Sequence, residues 1–171
     1  VVSSGRHAAA LAADEVMGRP AEGLVVTGVT GTNGKTTTVW ILRHLLSSRW
    51  ATASLGTVGA VLEGGVPLPG TESLTTPGPV GMAKTMRAFR DHGAEAVAME
   101  VSSHALDQAR VHALRFAAAV YCNTLSADAS TIHTSDGFDG SSVIPVGFVT
   151  PPVTVCSRRV DAPPGDKSPS N

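Results

Sequence analysis

The segment GVTGTNGKTTT at positions 28–38 places three glycines, one lysine and five threonines directly after an apolar run. A turn of this composition between a strand and a helix is typical of a phosphate-binding loop, because its backbone N–H groups and the helix N-terminus face the anion. Lys35 would reach the β- and γ-phosphates of a nucleotide, and the Thr36 hydroxyl would ligate Mg²⁺. The pattern G-x-x-x-x-G-K-[ST] is met imperfectly, since Val29 occupies its first glycine position and Gly28 lies one residue early. The alternative is a glycine-rich turn without a ligand.

Apolar spacing predicts that strands and helices alternate over the first 123 residues. In the helix that begins at Lys35, we expect an apolar face made of Val39, Leu42, Leu45 and Leu46. The alternation is typical of an α/β fold, a mostly parallel sheet of the P-loop type with flanking helices. Strands are predicted at 24–30, 51–58, within 94–103 and within 115–123, and helices at 6–17, from 35 and around 82–89.

The length and composition of the chain suit one globular domain. Its 171 residues are 42% apolar and 16% charged, which is enough to bury a core. Aromatic residues make up only 4%, so that core must consist mainly of Ala, Val and Leu. The net charge is −1 and there is no basic block, so nucleic acid is not an expected partner.

Two further observations bear on location. Cys122 and Cys156 lack the spacing of a zinc site or a disulfide framework, which favours a reduced compartment. No apolar run approaches the roughly 20 residues that span a bilayer, and charged residues interrupt the N-terminal apolar stretch. We therefore expect no membrane partner and a cytoplasmic location.

The character of the chain changes after Leu125. Six of the eleven prolines lie beyond that residue, together with many serines and glycines. The stretch VIPVGFVTPPVTVC is rich in β-branched residues but is broken by prolines. The sequence therefore predicts a domain over 1–124 and a disordered tail without a recognisable domain over 125–171.

Glu100 is the second candidate for chemistry, because it ends the predicted apolar strand Ala96–Met99. Ligands of open α/β sheets collect at the carboxyl ends of the strands. A carboxylate there, beside a phosphate-binding loop, can bind the Mg²⁺ that Thr36 also ligates. The alternative is an exposed carboxylate at a strand end. From the residues alone, the polar clusters 75–77 and 102–104 are more typical of turns.

Three motifs in this order, GVTGTNGKTTT, LTTP and MEVSSHALDQARV, resemble the Mur ligases, and among them the synthetases that add the third amino acid of the peptidoglycan stem peptide. GTNGK[ST] is that family's own form of the loop, which accounts for the shifted glycine. The resemblance covers roughly residues 5–123. It implies the central ATPase domain of that family. A folylpolyglutamate synthetase-like ligase shares the loop, but the stretch EVSSHALDQAR argues against it.

The resemblance also implies roles for individual residues. ATP would phosphorylate the D-Glu carboxylate of UDP-MurNAc-L-Ala-D-Glu, and the amine of diaminopimelate or lysine would then displace the phosphate. Lys35 and Glu100 would be the catalytic groups, and Thr36 and Glu100 the Mg²⁺ ligands. The ATP phosphates would be bound by Gly31, Thr32, Asn33, Gly34, Lys35, Thr36 and Thr37. The UDP-linked substrate would be bound by Thr75, Thr76, Ser102, Gln108 and Arg110.

The chain departs from the family after Asp128. The family has an Asp-His pair there, and a carboxylated lysine further on, but neither Lys84 nor Lys167 is a plausible counterpart. The family also has two other domains, and we expect this sequence to hold only part of the middle one. We therefore expect an inactive fragment, which binds ATP weakly at best. The alternative is a non-catalytic nucleotide-binding remnant.

A shifted reading frame would explain the departure. Residues 128–132 can be encoded as GAC GCG TCG ACT ATC, which in a neighbouring frame contains GTC GAC TAT, or Val-Asp-Tyr. This is close to what the family has after its Asp-His pair. Loss of one base in the His codon would make the rest of the chain out-of-frame translation.

Overall fold

The structure is a computed structural model that describes residues 4–71, 75–122, 143–146 and 153–157, the last two as backbone only. The helices are α1 (Gly5–Val16), α2 (Lys35–Leu46), α3 (Pro79–Asp91) and α4 (Ser103–Asp107). The strands are β1 (Val25–Gly31), β2 (Thr52–Gly56), β3 (Gly59–Val61), β4 (Pro67–Leu68), β5 (Ala96–Glu100), β6 (Ala118–Cys122), β7 (Val143–Val146) and β8 (Val153–Ser157). In this part of the chain, no helix is long and apolar enough to cross a bilayer.

The strands form one sheet with the order β4-β3-β2-β5-β1-β6-β8-β7. The four central strands, β2, β5, β1 and β6, run parallel to one another. The outer strands pair antiparallel on both sides. The prediction of an α/β fold with a mostly parallel centre and flanking helices is therefore confirmed.

Burial explains why β1 and β5 lie in the middle of the sheet. All five residues of β5 are buried, and so are Val26 to Val29 of β1. Strands that are covered on both faces have continuous apolar runs instead of alternation. The register aligns Val26 with Val97 and Val29 with Glu100, so the carboxyl ends of the two strands lie side by side. The predicted phosphate-binding loop and the candidate carboxylate thus meet at one edge.

Two apolar clusters make up the core. The larger one joins the sheet to α3 through the fully buried side chains of Met86 and Phe89. The smaller one joins the sheet to α2 through Val39. Burying each of these large side chains stabilises the fold by roughly 1.5–3 kcal/mol.

The predicted apolar face of α2 is correct for three of its four residues. Val39 is buried, and Leu42 and Leu46 pack against the smaller cluster. Leu45, in contrast, is 60% exposed. At 3.6 residues per turn, Leu45 points about 120° away from Val39, whereas Leu42 and Leu46 lie within about 60° of it.

The segment between β2 and α3 contains structure that the sequence did not predict. The predicted strand at 51–58 ends at Gly56, where Thr57 and Val58 form a two-residue turn into β3. Gly59 has a φ of 88°, which favours glycine. A 3₁₀ turn at Glu63–Gly65 and the short strand β4 follow.

The predicted tail over 125–171 falls mostly outside the described residues, and the proposed change of frame near Asp128 does so entirely. Within the tail, residues 143–146 and 153–157 are strands β7 and β8. Pro145 lies in β7, the outermost strand. Proline has no backbone N–H, and at the edge of a sheet its absence breaks no hydrogen bond between inner strands. The division into 1–124 and 125–171 stays a prediction.

Candidate functional site

The loop between β1 and α2 begins with a close backbone approach. Gly31 has a φ of 130°, and a Cβ atom there would overlap the carbonyl oxygen of Cys122 in β6. The same oxygen accepts a 3.0 Å hydrogen bond from the N–H of Thr32. Only glycine satisfies both conditions at position 31. The start of the loop is therefore fixed against β6.

The loop passes directly into the N-terminus of α2. Gly34 is the N-cap residue, with a φ of 85° and no side chain to cap the first turn. Among the described residues, no capping side chain accepts from this first turn, which is the arrangement that suits a bound phosphate. Thr36 and Thr37 belong to this turn, and Asn33 lies just before it.

Lys35 folds back over the loop. Its Nζ donates hydrogen bonds of 2.8 Å to the carbonyl of Gly31 and 3.1 Å to the carbonyl of Thr32. No carboxylate of the described residues forms an ion pair with it. The ammonium group is thus held at the loop by neutral acceptors, and its charge is available to an anion.

Glu100 ends β5 and is only 1% exposed, so it is not the exposed carboxylate of the alternative interpretation. Its Oε1 accepts hydrogen bonds from the Thr36 hydroxyl at 2.8 Å and from the Thr57 N–H at 2.9 Å. Its Oε2 accepts one from the Thr57 hydroxyl at 3.2 Å. Within the described residues, no Lys, Arg or His forms an ion pair with this carboxylate. A buried charge without a counter-charge is costly, which favours a cation beside it.

The second group of predicted residues surrounds Thr76, which is 1% exposed. Its hydroxyl donates to the backbone carbonyl of Glu100 and accepts from the N–H of Ser102, both at 3.1 Å. Its carbonyl accepts a 2.8 Å hydrogen bond from Nη1 of Arg110. The Thr75 hydroxyl lies 3.2 Å from that of Thr57. The two polar clusters are therefore joined to each other and to the backbone of Glu100, and Thr75 reaches the carboxylate through Thr57.

Gln108 and Arg110 form a paired unit. Nε and Nη2 of Arg110 donate to Oε1 of Gln108 at 2.9 and 2.6 Å. Both side chains line an open cavity of about 460 Å³, which α1 and the start of α3 complete. The cavity contains none of Thr75, Thr76 and Ser102 in its lining. Hydrogen bonds or short distances therefore connect all five predicted substrate residues. Only Gln108 and Arg110 among them line this cavity.

Thr57 is the residue that sequence reasoning missed. It makes two of the three hydrogen bonds that the described residues donate to the Glu100 carboxylate, although the two residues lie 43 positions apart. The residue fell inside the strand predicted at 51–58, which ends at Gly56 instead, so no local pattern indicated its contact with Glu100.

The described residues contain no group of three or more His, Cys, Asp or Glu side chains that could hold a metal ion. Thr36 and Glu100 provide a hydroxyl and a carboxylate instead. Two such oxygen donors leave room for the phosphate and water oxygens that usually complete the coordination of Mg²⁺.

Comparison with known proteins identifies the family. The sequence profile of the Mur ligase middle domain matches residues 29–134. UDP-N-acetylmuramoyl-L-alanyl-D-glutamate–2,6-diaminopimelate ligases from Xanthomonas oryzae pv. oryzae and Solibacter usitatus are 47% identical over 112 residues and 45% identical over 123 residues. These stretches cover 65% and 71% of this chain.

A solved structure of a ligase with the same name superposes with a TM-score of 0.57 at 28% identity, covering 75% of this chain and 26% of the other. The chain spans only 22% and 24% of the length of the two relatives above. These findings confirm the resemblance that the three motifs indicated. Because the profile match takes in more than half of the residues, this chain belongs to the Mur ligase middle-domain family.

Proposed function

We propose that this chain is the nucleotide-binding part of a cytoplasmic ATP-dependent ligase that adds diaminopimelate to UDP-MurNAc-L-Ala-D-Glu during the synthesis of peptidoglycan precursors. The relatives carry the name of that reaction. The observation that carries the proposal is the contact between Thr36 of the loop and the buried Glu100, which joins a phosphate-binding turn to a carboxylate. For this chain by itself we propose ATP binding, and for the intact ligase the whole reaction.

The residues at the loop suit the charge of a transferring phosphoryl group. The uncapped N–H groups at the start of α2 would hold phosphate oxygens. Lys35 would exchange its two carbonyl acceptors for the β- and γ-phosphates, since a charged acceptor forms the stronger hydrogen bond. Positioning and charge neutralisation are what this class of reaction asks of the protein.

The donor set beside the loop fits Mg²⁺. Glu100 supplies a buried carboxylate without a counter-charge, and Thr36 supplies a hydroxyl whose proton is donated to Oε1, which leaves its lone pairs free for a cation. Bound Mg²⁺ would neutralise charge on the phosphate oxygens. Without it, the protein groups alone orient the nucleotide.

The substrate side is proposed to lie at Thr75, Thr76, Ser102, Gln108 and Arg110. The cavity beside Gln108 and Arg110 supports this, because a guanidinium group there suits the carboxylate or phosphate groups of a UDP-linked peptide. The hydrogen bond from Nη1 of Arg110 to the Thr76 carbonyl keeps this guanidinium next to the end of β5, which carries Glu100.

Isothermal titration with ATP and Mg²⁺ tests the proposal. Lys35→Ala should weaken ATP binding by about 10- to 100-fold, the effect of losing one or two charge-assisted hydrogen bonds. Lys84→Ala removes an exposed lysine of α3 and is the matched control, for which no change is expected. Absence of ATP binding in the wild-type chain, or equal binding by both variants, would contradict the proposal and favour a remnant without nucleotide affinity.

A further inference from the structure

Thr57 stands between the two groups of site residues. Its N–H donates to Oε1 of Glu100 at 2.9 Å, and its hydroxyl lies 3.2 Å from Oε2 of the same carboxylate. The same hydroxyl lies 3.2 Å from the hydroxyl of Thr75. One residue thus contacts both oxygens of the proposed metal ligand and one of the proposed substrate residues.

The direction of these hydrogen bonds follows from the chemistry of the carboxylate. Ionised Glu100 can only accept, so the single hydroxyl proton of Thr57 must be donated to Oε2. The hydroxyl of Thr75 must then donate its proton to Thr57. The chain of donors therefore runs from Thr75 through Thr57 to Glu100.

The position of Thr57 argues against a role in core packing. It is exposed, in the two-residue turn between β2 and β3, whereas Glu100 is buried beneath it. Removing its hydroxyl opens no cavity in the core. The groups that lose a partner are Oε2 of Glu100 and the hydroxyl of Thr75.

We propose that Thr57 is a positioning residue of the nucleotide site, which sets the direction of both carboxylate oxygens of Glu100 and acts through this carboxylate without touching the nucleotide. The inference rests on the proposed function. Oε1 is held by Thr36 and the Thr57 backbone, so the side chain of Thr57 fixes the remaining rotation of the carboxylate through Oε2. A carboxylate free to rotate would bind a cation less tightly, because its orientation must then be restricted on binding.

Three variants of the 171-residue chain test the inference. Thr57→Val removes the hydroxyl but keeps the β-branched shape, and Thr57→Ser keeps the hydroxyl. Val58→Ala changes the neighbouring exposed residue of the same turn and is the control. The dissociation constant of ATP is measured by isothermal titration for each, once with saturating Mg²⁺ and once with EDTA.

Thr57→Val should weaken ATP binding about tenfold with Mg²⁺, the size of one hydrogen bond to a charged group, and should leave it unchanged with EDTA. Thr57→Ser should bind within about twofold of the wild type in both conditions, and so should Val58→Ala. Equal binding by Thr57→Val and wild type with Mg²⁺, or an equal loss with and without Mg²⁺, would overturn the inference alone. A wild-type chain that binds no ATP would overturn the proposed function, and the inference with it.

Discussion

Glu100 lies directly against the backbone of Gly56: a Cβ atom at position 56 would overlap its carboxylate oxygen Oε1. The three nearest atoms, Oε1, Cδ and Cγ, all belong to this buried side chain, so the carboxylate must shift and give up its present hydrogen bonds. The last residue of β2 thus leaves the space in which the proposed metal ligand is held by Thr36 and Thr57.

Gly56→Ala should therefore keep the fold and displace the carboxylate. We expect the gain in ATP affinity that Mg²⁺ provides to fall about tenfold, the effect of losing one interaction with a charged group. Titration calorimetry with and without Mg²⁺ measures this gain. Gly78→Ala is the control, because a Cβ atom at Gly78 meets no atom within 4 Å. An unchanged Mg²⁺ effect in Gly56→Ala would show that Glu100 is not the ligand.

Gly31→Ala should destabilise the fold more than any exposed Gly→Ala change. Gly31 combines a φ of 130° with the overlap against Cys122, whereas Gly64 has a φ of 74° and open space around it. We expect Gly64→Ala to lower the free energy of unfolding by about 1–2 kcal/mol, and Gly31→Ala by at least about 3 kcal/mol. Urea unfolding curves of the two variants measure the difference. Equal losses would mean that the approach to Cys122 does not constrain the loop.

Arg110→Lys should loosen the connection between Thr76 and Gln108. A guanidinium reaches the carbonyl of Thr76 and Oε1 of Gln108 at once, with three N–H groups, and an ammonium group lacks this fork. The expected loss is about 1–2 kcal/mol of unfolding free energy, measured by urea unfolding. Arg115→Lys, at an exposed position, should change it by less than about 0.5 kcal/mol. A loss of the same size in both variants would contradict a role for the fork.

Asp14 gives the fold a small dependence on pH. Burial raises the pKa of this carboxyl above its ordinary value of 3.8, and the nearby Arg19 only partly opposes this. A raised pKa means that the folded state favours the neutral form. The stabilisation is thus complete below about pH 3.8 and is lost as the pH rises through the folded-state pKa.

Asp14→Asn should remove this dependence. The variant should be more stable than the wild type at pH 7, by less than about 0.5 kcal/mol since the group is largely solvated, and the difference should shrink toward about pH 3.5. Thermal unfolding of both chains across that range measures it. Glu63→Gln, at an exposed position in the 3₁₀ turn, is the control. A wild type that is the more stable of the two at pH 7 would contradict the direction of the pKa shift.

The succession of central strands and helices along the chain could be predicted because each element carries its own pattern. Val39 and Phe89 lie on the buried faces that the spacing indicates. Glu100 could be placed near the loop because the carboxyl ends of neighbouring parallel strands share an edge. The prediction that Leu45 lies on the apolar face was wrong, because a residue at a helical interval from Leu42 can still point away from the sheet.

Thr57 could not be predicted, because its two hydrogen bonds to Glu100 depend on how β2 and β5 pair. Local sequence contains no information on which strand of a sheet lies beside which. The same holds for the approach of Gly31 to Cys122, which needs β6 as the other neighbour of β1. Motifs indicate what a site contains, and strand order decides which further residues reach it.

The approach of Gly31 to Cys122 also has a consequence for biosynthesis. A nascent chain leaves the ribosome N-terminus first, and the strand that fixes the start of the proposed phosphate-binding loop is made about 90 residues after the loop itself. Until then, the glycine-rich turn has its full sequence but not the partner that sets its backbone. The ability to capture a nucleotide should therefore arise abruptly, late in translation, when β6 joins β1.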